Sequence, residues 1–527
     1  MSLTEAYKVI AGAAEHCTEC GACVRRCEVL EQAPVLEGAC DTGALLGPTE
    51  GEEPESDGAG CSVGTLARLF VCAFGGADAE ALAAHPDCGA QALAAVARIA
   101  EQHADALFAV RRCCMCGHCT VACAEGVDAR ETFSALRELL ALSGAITGER
   151  FESTQVDLEW HIFSVYRAVH GIYFQDLPGC DDALEHGADT LFFPGCPLAS
   201  YAPDLAREVF QWLLDQGVNA VFSDACCGSP LKSAGRMERA EAFKRSLAES
   251  FRAAGIRRIV CVCPGCADEL ASADGIGDIE IVPLPRLLAE AGMKARPDKL
   301  RAFMQDGDGV RESAAVEGAV PAVASADCPA AVEGAVPAVA LAERPASAER
   351  PVDSLALTPV SAPAALSTSA EVTLPAPSER ALFPRIAVFD SCHDRDQAFG
   401  RPLRALFEKE TLVELPHRGK NALCCGAAGS VSLVDPGICE RRAHRIMEDE
   451  TAAASADLLV ANCPTCTYTF AAQHRADAAA GRTGTCVPQA NYLELVFEMG
   501  FDWDTVFSRL ESMWTGEYGA WVCQQLL

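Results

Sequence analysis

The sequence predicts an α+β multidomain chain: a mainly α-helical N-terminal domain, then an α/β unit present twice, with a disordered linker between the copies. Three observations carry this expectation. A chain of 527 residues is too long for a single core. Apolar strand-like runs alternate with helical stretches in the same order over two regions, each strand run leading to cysteine. Between those regions lies a segment of Ala, Val, Pro and Ser without apolar periodicity.

Residues 1–150 hold two evenly spaced cysteine runs, Cys17, Cys20, Cys23, Cys27 and Cys113, Cys116, Cys119, Cys123, separated by a long insert, 28–112. Residues 151–188 form a helical connection, in which WHIFSVYRAVHGIYF offers an apolar face. The first copy of the α/β unit spans 189–304. DTLFFPGC ends at Cys196, NAVFSDACCG carries Cys226, Cys227 and Gly228, and IRRIVCVCPGC ends at Cys263 and Cys266. The linker, 305–382, repeats the 11-mer AAVEGAVPAVA, and its one cysteine, Cys328, is expected to bind nothing. The second copy and a C-terminal helical segment fill 383–527. RIAVFDSC leads to Cys392, LCCG carries Cys424, Cys425 and Gly426, and DLLVANCPTC ends at Cys463 and Cys466. Corresponding cysteines are offset by 196, 198 and 200 positions, so the copies differ by only two short indels. In α/β units such cysteines fall at the C-terminal ends of strands, where open sheets bind ligands and helix N-termini favour thiolates.

Composition narrows the function. The chain has 29 cysteines, grouped in tight C-x-x-C runs that suit shared metal better than disulfides. The N-terminus lacks a basic region followed by an apolar stretch, and the pairs Arg25–Arg26 and Arg111–Arg112 precede cysteines, so no export signal is expected. No apolar run has the roughly 18–20 residues that span a bilayer. The expected setting is the cytoplasm, or the inner membrane face through a partner. A net charge of −32, from 42 basic and 74 acidic residues, argues against nucleic acid.

The two N-terminal runs read C-x2-C-x2-C-x3-C. This is the two-cluster bacterial ferredoxin spacing, in which three cysteines hold one [4Fe–4S] cubane and the fourth crosses to the other. The crossing assigns Cys17, Cys20, Cys23 and Cys123 to one cubane, and Cys113, Cys116, Cys119 and Cys27 to its neighbour. Zinc, the alternative, would need four ligands per site and no crossing partner. Glu28 and Ala124 stand where proline usually follows the fourth cysteine. Cys40, Cys61, Cys72 and Cys88 of the insert lack paired spacing and are expected to be buried or free thiols. Cys114 is expected to point away from the cluster, and His118 to be a polar neighbour. Cys180, Cys439, Cys486 and Cys523 have no partner at useful spacing.

The repeated order of one cysteine, CCG, then C-P-x-C resembles the CCG domain of the catalytic subunit of heterodisulfide reductase. It is equally similar to the iron–sulfur subunits of anaerobic glycerol-3-phosphate dehydrogenase and glycolate oxidase. The resemblance covers about 190–300 and 384–505. It implies two five-cysteine sites: Cys196, Cys226, Cys227, Cys263 and Cys266, and Cys392, Cys424, Cys425, Cys463 and Cys466. Besides the two cubanes it implies one or two additional [4Fe–4S] clusters, noncubane or cubane, with zinc as a further alternative. Gly228 and Gly426 would remove bulk where the backbone passes close. Cys261 reads as a strand residue. His393 reads as structural, with proton donation to a leaving thiolate as the alternative. No G-x-G-x-x-G between a strand and a helix provides a flavin or nicotinamide site, so a redox partner, a flavoprotein or a membrane b-type cytochrome, must exchange electrons. Two readings stand: an anaerobic oxidoreductase subunit that cleaves a disulfide, and a non-catalytic wire joining a dehydrogenase of glycerol-3-phosphate or a 2-hydroxy acid to quinone.

Overall fold

The computed structural model describes residues 2–32, 61–75, 79–84, 86–146, 152–179, 187–297, 385–482 and 486–526. The expected linker, Cys40, Cys180 and Cys328 lie outside them.

The N-terminal region is helical. Ser2 opens the helix Leu3–His16 with a capping box, its hydroxyl accepting from the Glu5 amide while Glu5 accepts from the Ser2 amide. Ile10 and Ala13 of this helix are buried with Leu66 and Phe70 of Val63–Val71 and Leu136 and Leu139 of Ala129–Leu142. Part of the insert is therefore core: Val63–Val71, Pro86–Gln102 and Ala104–Arg112 are helices of this domain. The same apolar cluster runs into the second α/β copy through Val431 and Ile438.

Each copy is a four-stranded, all-parallel sheet. In the first, β1 (Thr190–Phe193), β2 (Ala220–Phe222), β3 (Arg258–Cys261) and β4 (Glu280–Pro283) lie in the order β2-β1-β3-β4. In the second, β5 (Ile386–Phe389), β6 (Leu412–Val413), β7 (Leu458–Ala461) and β8 (Gln489–Asn491) lie in the order β6-β5-β7-β8. The central strands β1, β5 and β7 are buried along their whole length, as parallel strands covered on both faces require, which is why they read as unbroken apolar runs. Residues of both copies share two apolar clusters, and Tyr201 stacks on Tyr468 with centroids 5.2 Å apart.

Among the described residues of the connection 151–188 the α-helix is Ile162–Val169, and Gly171 takes a positive φ just beyond it. One expectation is corrected: the copies diverge before their CCG motifs. β2 ends at Phe222, just before Cys226, whereas β6 ends at Val413, well short of Cys424. There the polar stretch after Pro416 is held by a side chain in place of a ladder: buried Asp390 accepts from the Gly419 amide at 2.9 Å and from Arg404 at 2.8 and 3.1 Å.

Beyond β8, Glu494 closes the capping box of Tyr492–Phe497, accepting from the Asn491 amide at 2.6 Å and the Phe501 amide at 2.9 Å. Burial pushes its carboxyl up to about 7. Between the unfolded value and about 7 the folded state holds a proton that the unfolded chain has lost, so stability falls as pH rises through this window. The whole window is worth about 3 kcal/mol. Anaerobic thermal melts at pH 6 and pH 8 should show the higher transition at pH 6, and Glu494→Gln should shrink the difference. An unchanged difference in the variant would refute this origin.

Candidate functional site

In each sheet the connection from the first strand runs to one side and the next to the other, so the order reverses between β1 and β3, and between β5 and β7. Such a switch point opens a crevice at the strand C-termini. Cys196 follows β1 and Cys263 follows β3; Cys392 follows β5 and Cys463 follows β7. Cys263 and Cys463 are the N-caps of Pro264–Ala271 and Pro464–Ala479, placing Cys266 and Cys466 in the first turns, where unpaired N–H groups face the sulfurs. Gly228 and Gly426 follow the cysteine pairs with φ of 90° and 99°, and a Cβ on Gly426 would stand 2.7 Å from Cys439 Cα.

All ten CCG cysteines are buried. Each set of five is drawn together, and the two sets touch: Cys263 Sγ and Cys463 Sγ are 3.7 Å apart. Each thiol in the series Cys196, Cys226, Cys227, Cys266, Cys263, Cys463, Cys466, Cys425, Cys424 and Cys392 interacts electrostatically with the next, so the two sets lie close together in the buried interior. Cys424 is the hub. Hydrogen bonds from Cys114, Cys116, Cys392 and Cys425 pull it well below the ordinary thiol range. Cys227 and Cys263 are lowered in the same way by their thiol neighbours, against burial, whereas Cys226, Cys266, Cys392, Cys425, Cys463 and Cys466 are raised, first by thiol neighbours and then by burial. Thiolates gathered in a low-dielectric pocket are a donor set for a multinuclear metal centre.

The N-terminal cysteines line two hollows. Cys17, Cys20, Cys23 and Cys123 border one of about 390 Å³. Cys27, Cys113, Cys116 and Cys119 border another of about 740 Å³, which also exposes Cys114, Cys424, Arg442 and Arg445. Cys123 thus shares a hollow with the first run and Cys27 with the second, while Cys119 borders both. His118 is buried against Arg26 at 3.4 Å; burial, Arg395 and Arg26 lower it to about 4, so it is neutral.

Four residues of this junction are not evident from spacing. Cys114 turns to the second copy, donating to the Gly426 carbonyl at 3.6 Å and meeting Cys424. Cys439 donates to the same carbonyl at 3.2 Å. Arg442 lies among Cys27, Cys114, Cys116 and Cys424, whose negative charge outweighs the burial that would neutralise it. Arg137, 1% exposed, donates to the carbonyls of Val110, Arg111 and Cys113 in its own domain and of Ser233 and Gly429, just beyond the two CCG motifs. The adjacent Arg-Arg pairs and doubled cysteines gave no hint of these partners, of which Gly426 for Cys114 and Gly429 for Arg137 lie about 300 positions away.

His393 is a tie between domains. Its Nδ1 meets Asp268 Oδ2 at 2.8 Å, and Arg130 bonds both the ring and Asp268. Against the upward push of burial, His393 and Arg130 hold Asp268 at about 2. Cys261 is the last residue of β3 and is buried. Of the insert cysteines, Cys61 is a buried thiol pushed up to about 12 by burial, and Cys88 is half-buried. Cys72 departs from the expected free thiol: it is disulfide-bonded.

Residues 190–271 and 386–471 each match the model of the CCG cysteine-rich domain. A protein of Methanocaldococcus jannaschii named as an uncharacterized iron–sulfur protein is 24% identical over 203 residues, 37% of this chain. The chain spans 41% of that relative's length.

Proposed function

We propose that this chain, which carries the CCG cysteine-rich domain twice, is an iron–sulfur electron-transfer subunit of the heterodisulfide-reductase-like kind. The observation that carries the reading is the gathering of both buried five-cysteine sets, in contact at Cys263 and Cys463, with Cys424 bordering the hollow of the second N-terminal cysteine group. Cys17, Cys20, Cys23 and Cys123 would hold one [4Fe–4S] cubane and Cys27, Cys113, Cys116 and Cys119 the other. The two five-cysteine sets would hold one or two further clusters, noncubane or cubane. When bound, such clusters supply one-electron carriers.

The contacts of the chain's own residues support one order for such a path. Cys116 sets the second N-terminal group against Cys424 of copy two, and Cys463 sets copy two against Cys263 of copy one. Copy two is thus the port and copy one lies beyond it. Arg442, Arg395 and the helix starts at Pro264 and Pro464 offset the negative charge gathered there. A partner, flavoprotein or b-type cytochrome, would exchange electrons at the N-terminal pair. Among the described residues no helix is long and apolar enough to cross a membrane, so a quinone link would come through that partner. The reaction at the CCG pair would be cleavage of a disulfide by two electrons and two protons into two thiols.

Anaerobically purified protein should contain about sixteen irons per chain if all four groups hold [4Fe–4S]. Roughly eight, from the N-terminal pair alone, would overturn the CCG assignment. Reduced protein should then turn over small disulfides. Failure with every disulfide, combined with rapid oxidation through a quinone-linked partner, would replace disulfide cleavage with a wire function.

A further inference from the structure

We propose that His444, Asp477 and Cys486 form a mononuclear metal site, suited to Zn²⁺, in the second CCG copy and independent of the thiol run. One ring nitrogen of His444, one carboxylate oxygen of Asp477 and the Cys486 sulfur all lie within 4.8 Å of one another. Imidazole, carboxylate and thiolate together are zinc ligands. A tetrahedral Zn²⁺ with bonds of about 2.0–2.3 Å holds its ligand atoms about 3.3–3.8 Å apart. Asp477 Oδ2 and Cys486 Sγ, at 3.6 Å, already meet that spacing. Small rotations of His444 complete it, and the fourth position is left to water.

The surroundings hold each ligand in place. His444 presents Nδ1 to Glu448 Oε2 at 3.0 Å, the carboxylate–imidazole arrangement that orients a metal-bound ring and leaves Nε2 for the ion. Asp477 is 2% exposed, and its other oxygen, Oδ1, accepts from Gln473 at 2.9 Å and from Arg482 at 2.8 and 3.1 Å. Oδ2 is thereby directed at the thiol. The backbone beside Cys486 is pinned from two sides: the Val487 amide donates to the Met447 carbonyl at 3.3 Å, and His474 Nε2 meets the Val487 carbonyl at 3.1 Å. Met447 lies in a π-helical turn, Ile446–Glu450, that begins two residues after His444, and such turns are frequent at functional sites. Charge closes as well. The carboxylate and thiolate neutralise a divalent ion, and Arg482 balances Glu448.

The site belongs to one copy only. The helix Pro264–Ala271 of copy one stops where Pro464–Ala479 of copy two runs on, and Asp477 sits on that extension. Ser246 stands 198 positions before His444, the offset of the CCG cysteines. Asp477 is about 16 Å along its helix axis from Cys466, far enough to be separate from the sulfur run.

The test uses the full chain with its clusters in place, stripped of loose metal by a chelator and supplied with Zn²⁺. Metal analysis should find one zinc per chain beside unchanged iron, and X-ray absorption should find a single sulfur among nitrogen and oxygen ligands. Glu448→Gln should weaken zinc about 10-fold, and Cys486→Ser and His444→Gln by more than the 10–100-fold that loss of an outer partner costs. His444 is only half-buried, so its variant keeps the fold, and its iron content verifies that. Absence of retained zinc, zinc held by four sulfurs, or zinc held equally well by both ligand variants would each overturn the proposal.

Discussion

Cys424→Ser should leave the N-terminal pair reducible while separating it from the first CCG copy. Cys424 touches Cys114, Cys116, Cys392 and Cys425, so it belongs at once to the second CCG set and to the edge of the second N-terminal hollow. A hydroxyl there is a poorer ligand for iron than a thiolate. The variant should lose about four irons, keep the electron paramagnetic resonance signals of the N-terminal pair, and lose disulfide turnover. A variant with full iron and undiminished turnover would show that electrons reach copy one by another way. Cys439→Ser is the matched control: Cys439 is buried beside the same glycine but lies outside the thiol run.

Arg137→Met should cost at least about 4 kcal/mol, since it strips hydrogen bonds from five carbonyls, each worth roughly 1–3 kcal/mol when left buried and unpaired. Replacing a buried charge by an apolar side chain is often harmless when both partners go. Here the partners are main-chain carbonyls of three domains and cannot be removed with it. Arg137→Lys should fall between, because an ammonium offers three donors where the guanidinium offers five. The loss should also be anisotropic: thermal melts of Arg137→Met should split, with the N-terminal domain releasing before the paired CCG copies. A single transition within a degree or two of the native one would mean the carbonyls find other donors.

What could be read without a structure was local or repetitive. The x2 spacings set which sulfurs face one centre, because the chain between them is too short for alternatives. The duplicated order of strand, cysteine and helix was legible because fully buried parallel strands leave continuous apolar runs such as LFF in β1 and LLVA in β7. The weaker copy of a repeat was harder: β6 is two residues long, and the stretch beyond it is held by Asp390 in place of a ladder. The apolar face of WHIFSVYRAVHGIYF continues past Gly171, so it does not mark where the helix Ile162–Val169 ends.

By itself the sequence carried the two four-cysteine runs and the duplication, which rest on spacing along the chain, while the two sets of five were implied by the resemblance to the CCG domain. Only the tertiary structure decided that the sets adjoin through Cys263 and Cys463, that Cys114 faces Gly426, that Arg137 joins three domains, and that Cys486 meets Asp477 and His444. The physical reason is one of range. Backbone geometry correlates residues over a few positions, whereas contacts between folded surfaces are selected by packing and charge and leave no period in the chain.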